Sequence, residues 1–117
     1  MTTNDLAPVA DGPPLRPDGL YHLISGADWV VAQGSGQVAP PSLGVEGFVH
    51  CSWGHQVAGT VARHVGNGSG LTVLEVDPAG LGKVALVEED TAAVGQPFPH
   101  IYGAIPVEAV VSVSSLA

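Results

Sequence analysis

Three histidines carry the chemistry this chain could perform. His22 lies in Leu20-Tyr21-His22-Leu23-Ile24, His50 in Gly47-Phe48-Val49-His50-Cys51-Ser52, and His100 in Phe98-Pro99-His100-Ile101-Tyr102-Gly103. The chain has 5 His against a Lys plus Arg total of 3. Imidazole is the side chain whose ordinary pKa lets it give and take a proton near neutral pH. In a strand, His22 reads as a hydrogen-bond donor to a ligand; its plain alternative is a core histidine satisfied by a backbone carbonyl. His50 sits where a strand runs into a helix, placed to supply a proton or a hydrogen bond. Ser52 beside it is an N-cap type, and the free amides of a helix start can hold an anion. Pro99 biases Phe98 toward extended backbone, which makes His100 a stiff pocket wall or, alternatively, a turn residue that caps backbone groups.

Neighbouring groups add less. Cys51 is a nucleophile only if its thiolate is stabilised; in a strand it points away from His50, so a small buried hydrophobe is the favoured reading. A zinc site from His22, His50 and His100 would need spacings of 28 and 50 residues, which match no compact ligand motif, and no metal is expected. Among the carboxylates Glu46, Glu75, Asp77, Glu88, Glu89 and Glu108, the run Glu88-Glu89-Asp90 reads as a solvated acidic edge, and no pair is assignable as an acid–base dyad. Trp29 and Trp53 read as packing residues, Trp53 also as a candidate pocket wall. Arg63, His55 and His64 fall on a helix, Arg63 on its solvated face.

Short elements must position these groups. Strands are expected at 20–24, 47–51, 71–76, 83–88, 101–105 and 110–113, each bounded by turn formers. A short helix is expected at 28–33, ended by Gly34-Ser35-Gly36. A second follows Ser52, with Val57, Ala58, Val61, Ala62 and Val65 on one face and Gly66-Asn67-Gly68-Ser69-Gly70 as its stop. Residues 38–46, with Pro40, Pro41 and Gly44, read as loop, as does most of 89–99; 77–82 reads as a turn, and Pro106 opens one helical turn. Residues 1–18, with Pro8, Pro13, Pro14 and Pro17, read as a flexible leader before a single domain at 19–117. Six strands and two helices indicate α+β, and no glycine-rich dinucleotide loop joins a strand to a helix.

Composition narrows the partners. The 117 residues suit one domain. Charged residues make up 12%, against about 25% in typical domains, and the net charge is -8. Three cations neutralise few phosphates, which disfavours nucleic acid and anionic membrane surfaces. No apolar run approaches the roughly 20 residues of a membrane span. No secretory signal is visible, and the single Cys51 fits a reducing, cytoplasmic setting.

Four segments together resemble a known family: Leu20-Tyr21-His22-Leu23, Glu46-Gly47-Phe48-Val49-His50-Cys51-Ser52, Leu74-Glu75-Val76-Asp77-Pro78, and Phe98-Pro99-His100-Ile101-Tyr102-Gly103 continuing to Val110. With His55-Gln56-Val57-Ala58, their order and spacing are similar to the small bacterial family called domain of unknown function 952, over about 19–113. That resemblance implies an ADP-ribosyltransferase-like fold, distantly similar to RNA 2′-phosphotransferases: a small split β-sandwich of short strands with two helices and a cleft for NAD. It implies that His22 holds a ribose, that His50 and Ser52 line the cleft, and that Tyr21 and Tyr102 complete the cofactor-binding set. Many superfamily members carry a late glutamate where this chain carries His100, which departs from conventional protein ADP-ribosylation. The scarcity of arginine disfavours an RNA substrate.

The resulting expectation is an enzyme of ADP-ribosyl-transfer type in a three-histidine cleft. Its catalytic residues would be His50 and His100, and its substrate NAD or a related small nucleotide-like glycoside. The competing expectations are a binding module that kept the cleft and lost the chemistry, and a metal-dependent hydrolase.

Overall fold

Strict alternation in Leu20-Tyr21-His22-Leu23-Ile24 sends two sets of side chains to opposite faces of a strand, and each face finds its own core. The computed structural model describes residues 6–64 and 70–117. Its strands are β1 (Val9–Asp11), β2 (Leu20–Ile24), β3 (Gln37–Val38), β4 (Val49–His50), β5 (Ser52–Trp53), β6 (Thr72–Val76), β7 (Leu86–Glu89), β8 (Phe98–Ile101), β9 (Ile105–Pro106) and β10 (Val110–Leu116). The helices are α1 (Gly26–Ser35), α2 (Pro41–Glu46) and α3 (Gly54–His64), with 3-10 turns at Pro78–Leu81 and Val107–Ala109. The class is α+β.

Every strand pairing is antiparallel, in three sheets: β1-β10-β6-β2-β5, β4-β8-β7 and β3-β9. One core lies between the sheets. Leu20, Ile24, Leu74 and Val76 of the five-stranded sheet meet Val49 and Ile101 of the three-stranded sheet and Val38 and Ile105 of the two-stranded one. The second core lies on the other face of the five-stranded sheet, where Val57 and Val61 of α3 cover Tyr21 and Val73. Burying apolar area on both faces stabilises the sheet by about 25 cal/mol per Å² removed from water.

Several expectations need correction. Residues 38–46 are not loop: Pro41 takes the first helical position of α2 and Gly47 closes it in a left-handed conformation, φ 89°. The expected strand at 47–51 is reduced to β4, and a second strand, β5, follows it in a different sheet where a helix start was expected. The break falls at Cys51, whose N–H donates to the carbonyl of Pro99 at 3.1 Å. The expected strand at 101–105 also divides, because β8 ends at Ile101 and β9 starts at Ile105. Residues 6–18 are not a leader apart from the domain. β1 pairs with β10, and Ala7 and Leu15 are buried in the second core. The carbonyl of Arg16 passes so close to α3 that a Cβ on Gly54 would lie 1.7 Å from it. Residues 1–5 of that expected leader, Val65 of the expected helix face, and 66–69 of the expected helix stop lie outside the described residues.

Candidate functional site

β4 and β8 run antiparallel with His50 and His100 as direct partners. Their neighbours Val49 and Ile101 point into the core between the sheets, so alternation turns both imidazoles to the opposite face of the small sheet. The ring centroids lie 5.2 Å apart at an interplanar angle of 79°. Phe48 stacks on His100 at 4.0 Å and meets His50 edge-on at 4.9 Å. Tyr102 lies 5.3 Å from Phe48. His100 is 2% exposed, whereas half the His50 side chain is exposed.

Each imidazole has its own carboxylate. His50 donates from Nε2 to Glu46 Oε1 at 2.7 Å. His100 donates from Nδ1 to Glu89 Oε1 at 2.8 Å, and the Tyr102 hydroxyl donates to the same oxygen at 2.5 Å. The Tyr102 and His100 donors hold the Glu89 carboxyl below its usual range, and Glu89 in turn raises the Tyr102 phenol. These bonds select a tautomer for each ring when it is neutral, leaving Nδ1 of His50 and Nε2 of His100 as proton acceptors. A carboxylate behind an imidazole orients it and stabilises the imidazolium that forms when it takes a proton. Glu46, Phe48 and Glu89 are members of this group that the sequence reading did not assign; Glu89 was expected on a solvated edge. The signal for Glu46 is its place four residues before His50. For Glu89 it lies only in the β7–β8 register, where Val87 opposes His100 and Glu89 opposes Phe98.

The remaining expected site residues are placed elsewhere. Tyr21 is buried in the second core, and its hydroxyl accepts from the Arg16 N–H at 2.8 Å. The Ser52 hydroxyl is buried against Thr60 at 3.0 Å. Ser52 does not cap α3. Gln56 reaches back to accept from the Trp53 N–H at 3.0 Å, while the N–H groups of Gly54 and His55 donate to the carbonyls of Gly19 and Pro17. Two of the amides expected to hold an anion at this helix start are therefore already taken. Cys51 is buried, and burial pushes its thiol up, away from nucleophilic use. Trp53 donates from Nε1 to Glu88 at 2.8 Å. Arg63 is exposed on α3, as expected, with its guanidinium 5.2 Å from the centroid of the Phe98 ring. His55 is exposed, and the His64 side chain lies outside the described residues.

His22 shares the pair's backbone but not its space. Its Nδ1 donates to the carbonyl oxygen of His50 at 2.8 Å. Its strand partner is Leu74, so it faces the core between the sheets rather than the outer face that carries His50 and His100. There it lines a cleft of about 440 Å³ formed with α1, β3 and the Pro40-Pro41 turn. The three-histidine cleft expected from the sequence is thus two places: an outer imidazole pair and an inner cleft over His22. Among the described residues, no group of three or more His, Cys, Asp or Glu is arranged to hold a metal ion, and no helix is long and apolar enough to cross a membrane.

The same fold occurs in solved structures. The crystal structure of protein CC0527 from Caulobacter crescentus has 29% sequence identity and a TM-score of 0.73, covering 84% of this chain and 85% of that one. A double mutant of that protein gives 28% identity and a TM-score of 0.72, with the same coverage. No curated protein matches the chain. The family model described as "Protein of unknown function (DUF952)" matches residues 23–113. By that match the chain belongs to the domain of unknown function 952 family.

Proposed function

We propose that this chain is an enzyme of ADP-ribosyl-transfer type that cleaves or transfers from NAD or a related nucleoside glycoside, in an ADP-ribosyltransferase-like fold and a cytoplasmic setting. The observation that carries the proposal is the registered His50–His100 pair, each ring backed by its own carboxylate. Breaking an N-glycosidic bond passes through an oxocarbenium-like state. The bond's electron pair leaves with the base, and the attacking hydroxyl or water loses a proton. An imidazole positioned by a carboxylate takes that proton, and an imidazolium gives one to a neutral leaving base. Glu89, brought to His100 from the adjacent strand, puts a carboxylate near the position where the resemblance expects a glutamate and the chain carries His100.

The test is incubation with NAD between pH 5 and 8, with nicotinamide release measured. Release is expected. The variants His50→Ala and His100→Ala should lower it by about 10²- to 10⁴-fold each. No release by the wild-type protein with water, alcohol or amine acceptors would sink the proposal.

A second reading, a non-catalytic binding module, is favoured by one specific observation: a cleft of about 440 Å³ lies over His22, on the other side of the β4 backbone from the imidazole pair. Binding of a nucleoside-like ligand without release would select it.

A further inference from the structure

We infer that Arg63 forms an anion subsite beside the outer imidazole pair and takes the 5′-phosphate of a glycoside whose N-glycosidic bond lies at His50 and His100. This deepens the glycoside reading by naming the charged group of its substrate, and it rests on that reading for where the scissile bond lies.

Three observations carry it. First, α3 borders the outer face. His50, Cys51 and Ser52 alternate: Cys51 enters the core between the sheets, while Ser52 leaves on the side of His50 and meets Thr60 of α3 at 3.0 Å. Arg63 follows Thr60 by three residues, on the same helix face. Its guanidinium lies over the Phe98 ring, 5.2 Å from the centroid, beside Gly59, where a Cβ would stand 3.5 Å from Nη1. Phe98 precedes His100 by two residues, so both side chains share one face of β8, about 7 Å apart along the strand. In a nucleotide, one ribose separates the glycosidic bond from the 5′-phosphate, and the same span separates the imidazole pair from Phe98 and its guanidinium.

Second, that guanidinium is open to a ligand. Among the described residues no carboxylate pairs with Arg63. Glu89 opposes Phe98 in the β7–β8 register, but its carboxylate is turned to His100 and Tyr102. An arginine stacked by one face on an aromatic ring keeps its N–H edge for two parallel hydrogen bonds to a phosphate.

Third, the other cations are placed elsewhere. Of the three Lys and Arg, Arg16 is held by Glu75 and Asp18, and Lys83 precedes β7, toward the Tyr102 end of β8. A single guanidinium in a chain of net charge -8 suits one phosphate group rather than a polyanion.

The test is calorimetric titration of the full chain with nicotinamide riboside and nicotinamide mononucleotide, which differ only in the 5′-phosphate, and with inorganic phosphate. The mononucleotide should bind about tenfold more tightly than the riboside. Arg63→Gln should remove that difference, and Arg63→Lys, which keeps the charge but not the fork, should retain part of it. Arg63 is exposed, so neither variant threatens folding. Equal affinity for the two nicotinamide compounds, no binding of either, inorganic phosphate binding as tightly as the mononucleotide, or a preference that survives Arg63→Gln would overturn the inference. The two proposals fail separately. A phosphate preference that Arg63→Gln removes, without nicotinamide release from NAD, removes the catalytic reading and keeps this one, whereas release from NAD with an unchanged KM in Arg63→Gln does the reverse.

Discussion

The carbonyl oxygen of His50 accepts a hydrogen bond from Nδ1 of His22 at 2.8 Å. The bond ties the inner cleft to the strand that carries the outer imidazole pair, and it sets which His22 nitrogen faces the cleft. It also makes a prediction about acid. Burial holds the His22 imidazole below its ordinary value of 6.5, outweighing the opposing effect of the His50 carbonyl. The unfolded chain therefore binds a proton at His22 that the folded chain refuses. The stability this residue contributes is fully present above pH 6.5 and falls as pH drops below it. Urea midpoints for wild type and His22→Gln should diverge accordingly, with the wild type losing more between pH 7.5 and pH 5. Parallel pH dependence in the two proteins would show that His22 is not buried neutral.

The aromatic side chain covering the imidazole pair should matter for stability. Phe48 is 6% exposed and stacks on His100 at 4.0 Å. Phe48→Ala removes that stack and leaves a gap, at a cost of about 3 kcal/mol. Urea denaturation measures it, and a loss under about 1 kcal/mol would mean the stack contributes little.

The segment before β2 should behave as part of the domain. Leu15 is 5% exposed within the second core, so Leu15→Ala should cost about 2–4 kcal/mol. Gly54→Ala should cost about 3 kcal/mol or more, because its Cβ would lie 1.7 Å from the Arg16 carbonyl oxygen and one of the two backbones must move. Thermal melts of the two variants check both; wild-type melting temperatures would mean that residues 6–18 do not pack on α3.

Gln56 ties the start of α3 to the loop before β8. It accepts from the Trp53 N–H and donates to the Pro97 carbonyl at 2.8 Å. Gln56→Ala should cost about 1–2 kcal/mol and speed proteolytic nicking between Asp90 and Pro97. Unchanged nicking would leave the tie without consequence for that loop.

The lone thiol should be inert in the folded protein. Cys51 is 5% exposed, and burial pushes its thiol up. An aromatic disulfide reagent should label it only after guanidinium unfolding. Rapid labelling of the native chain would contradict its burial.

Local chemistry was readable along the chain. Alternation in β2 assigned Leu20 and His22 to one face and Tyr21 to the other, as the two cores show. Gly36 ends α1 in a left-handed conformation, and Pro106 precedes a 3-10 turn. These are consequences of side-chain periodicity and backbone freedom within a few residues, so no distant contact can alter them much.

What the three-dimensional arrangement alone decided is which groups meet. β3, β4, β5 and β9 are two residues long, too short for any period-two signal, and they exist because a partner strand supplies their hydrogen bonds. The pairing of His50 with His100 is a matter of register between strands far apart in the chain, and the arrival of Glu89 at His100 depends on the β7–β8 alignment. A shift of one residue in either would turn those side chains to the other face. His22 went to a separate space for the same kind of reason. Its strand presents it to the core between the sheets, while β4 and β8 turn their imidazoles away from it. Periodicity tells that two faces differ; only the packing of one sheet on another tells which face is inside.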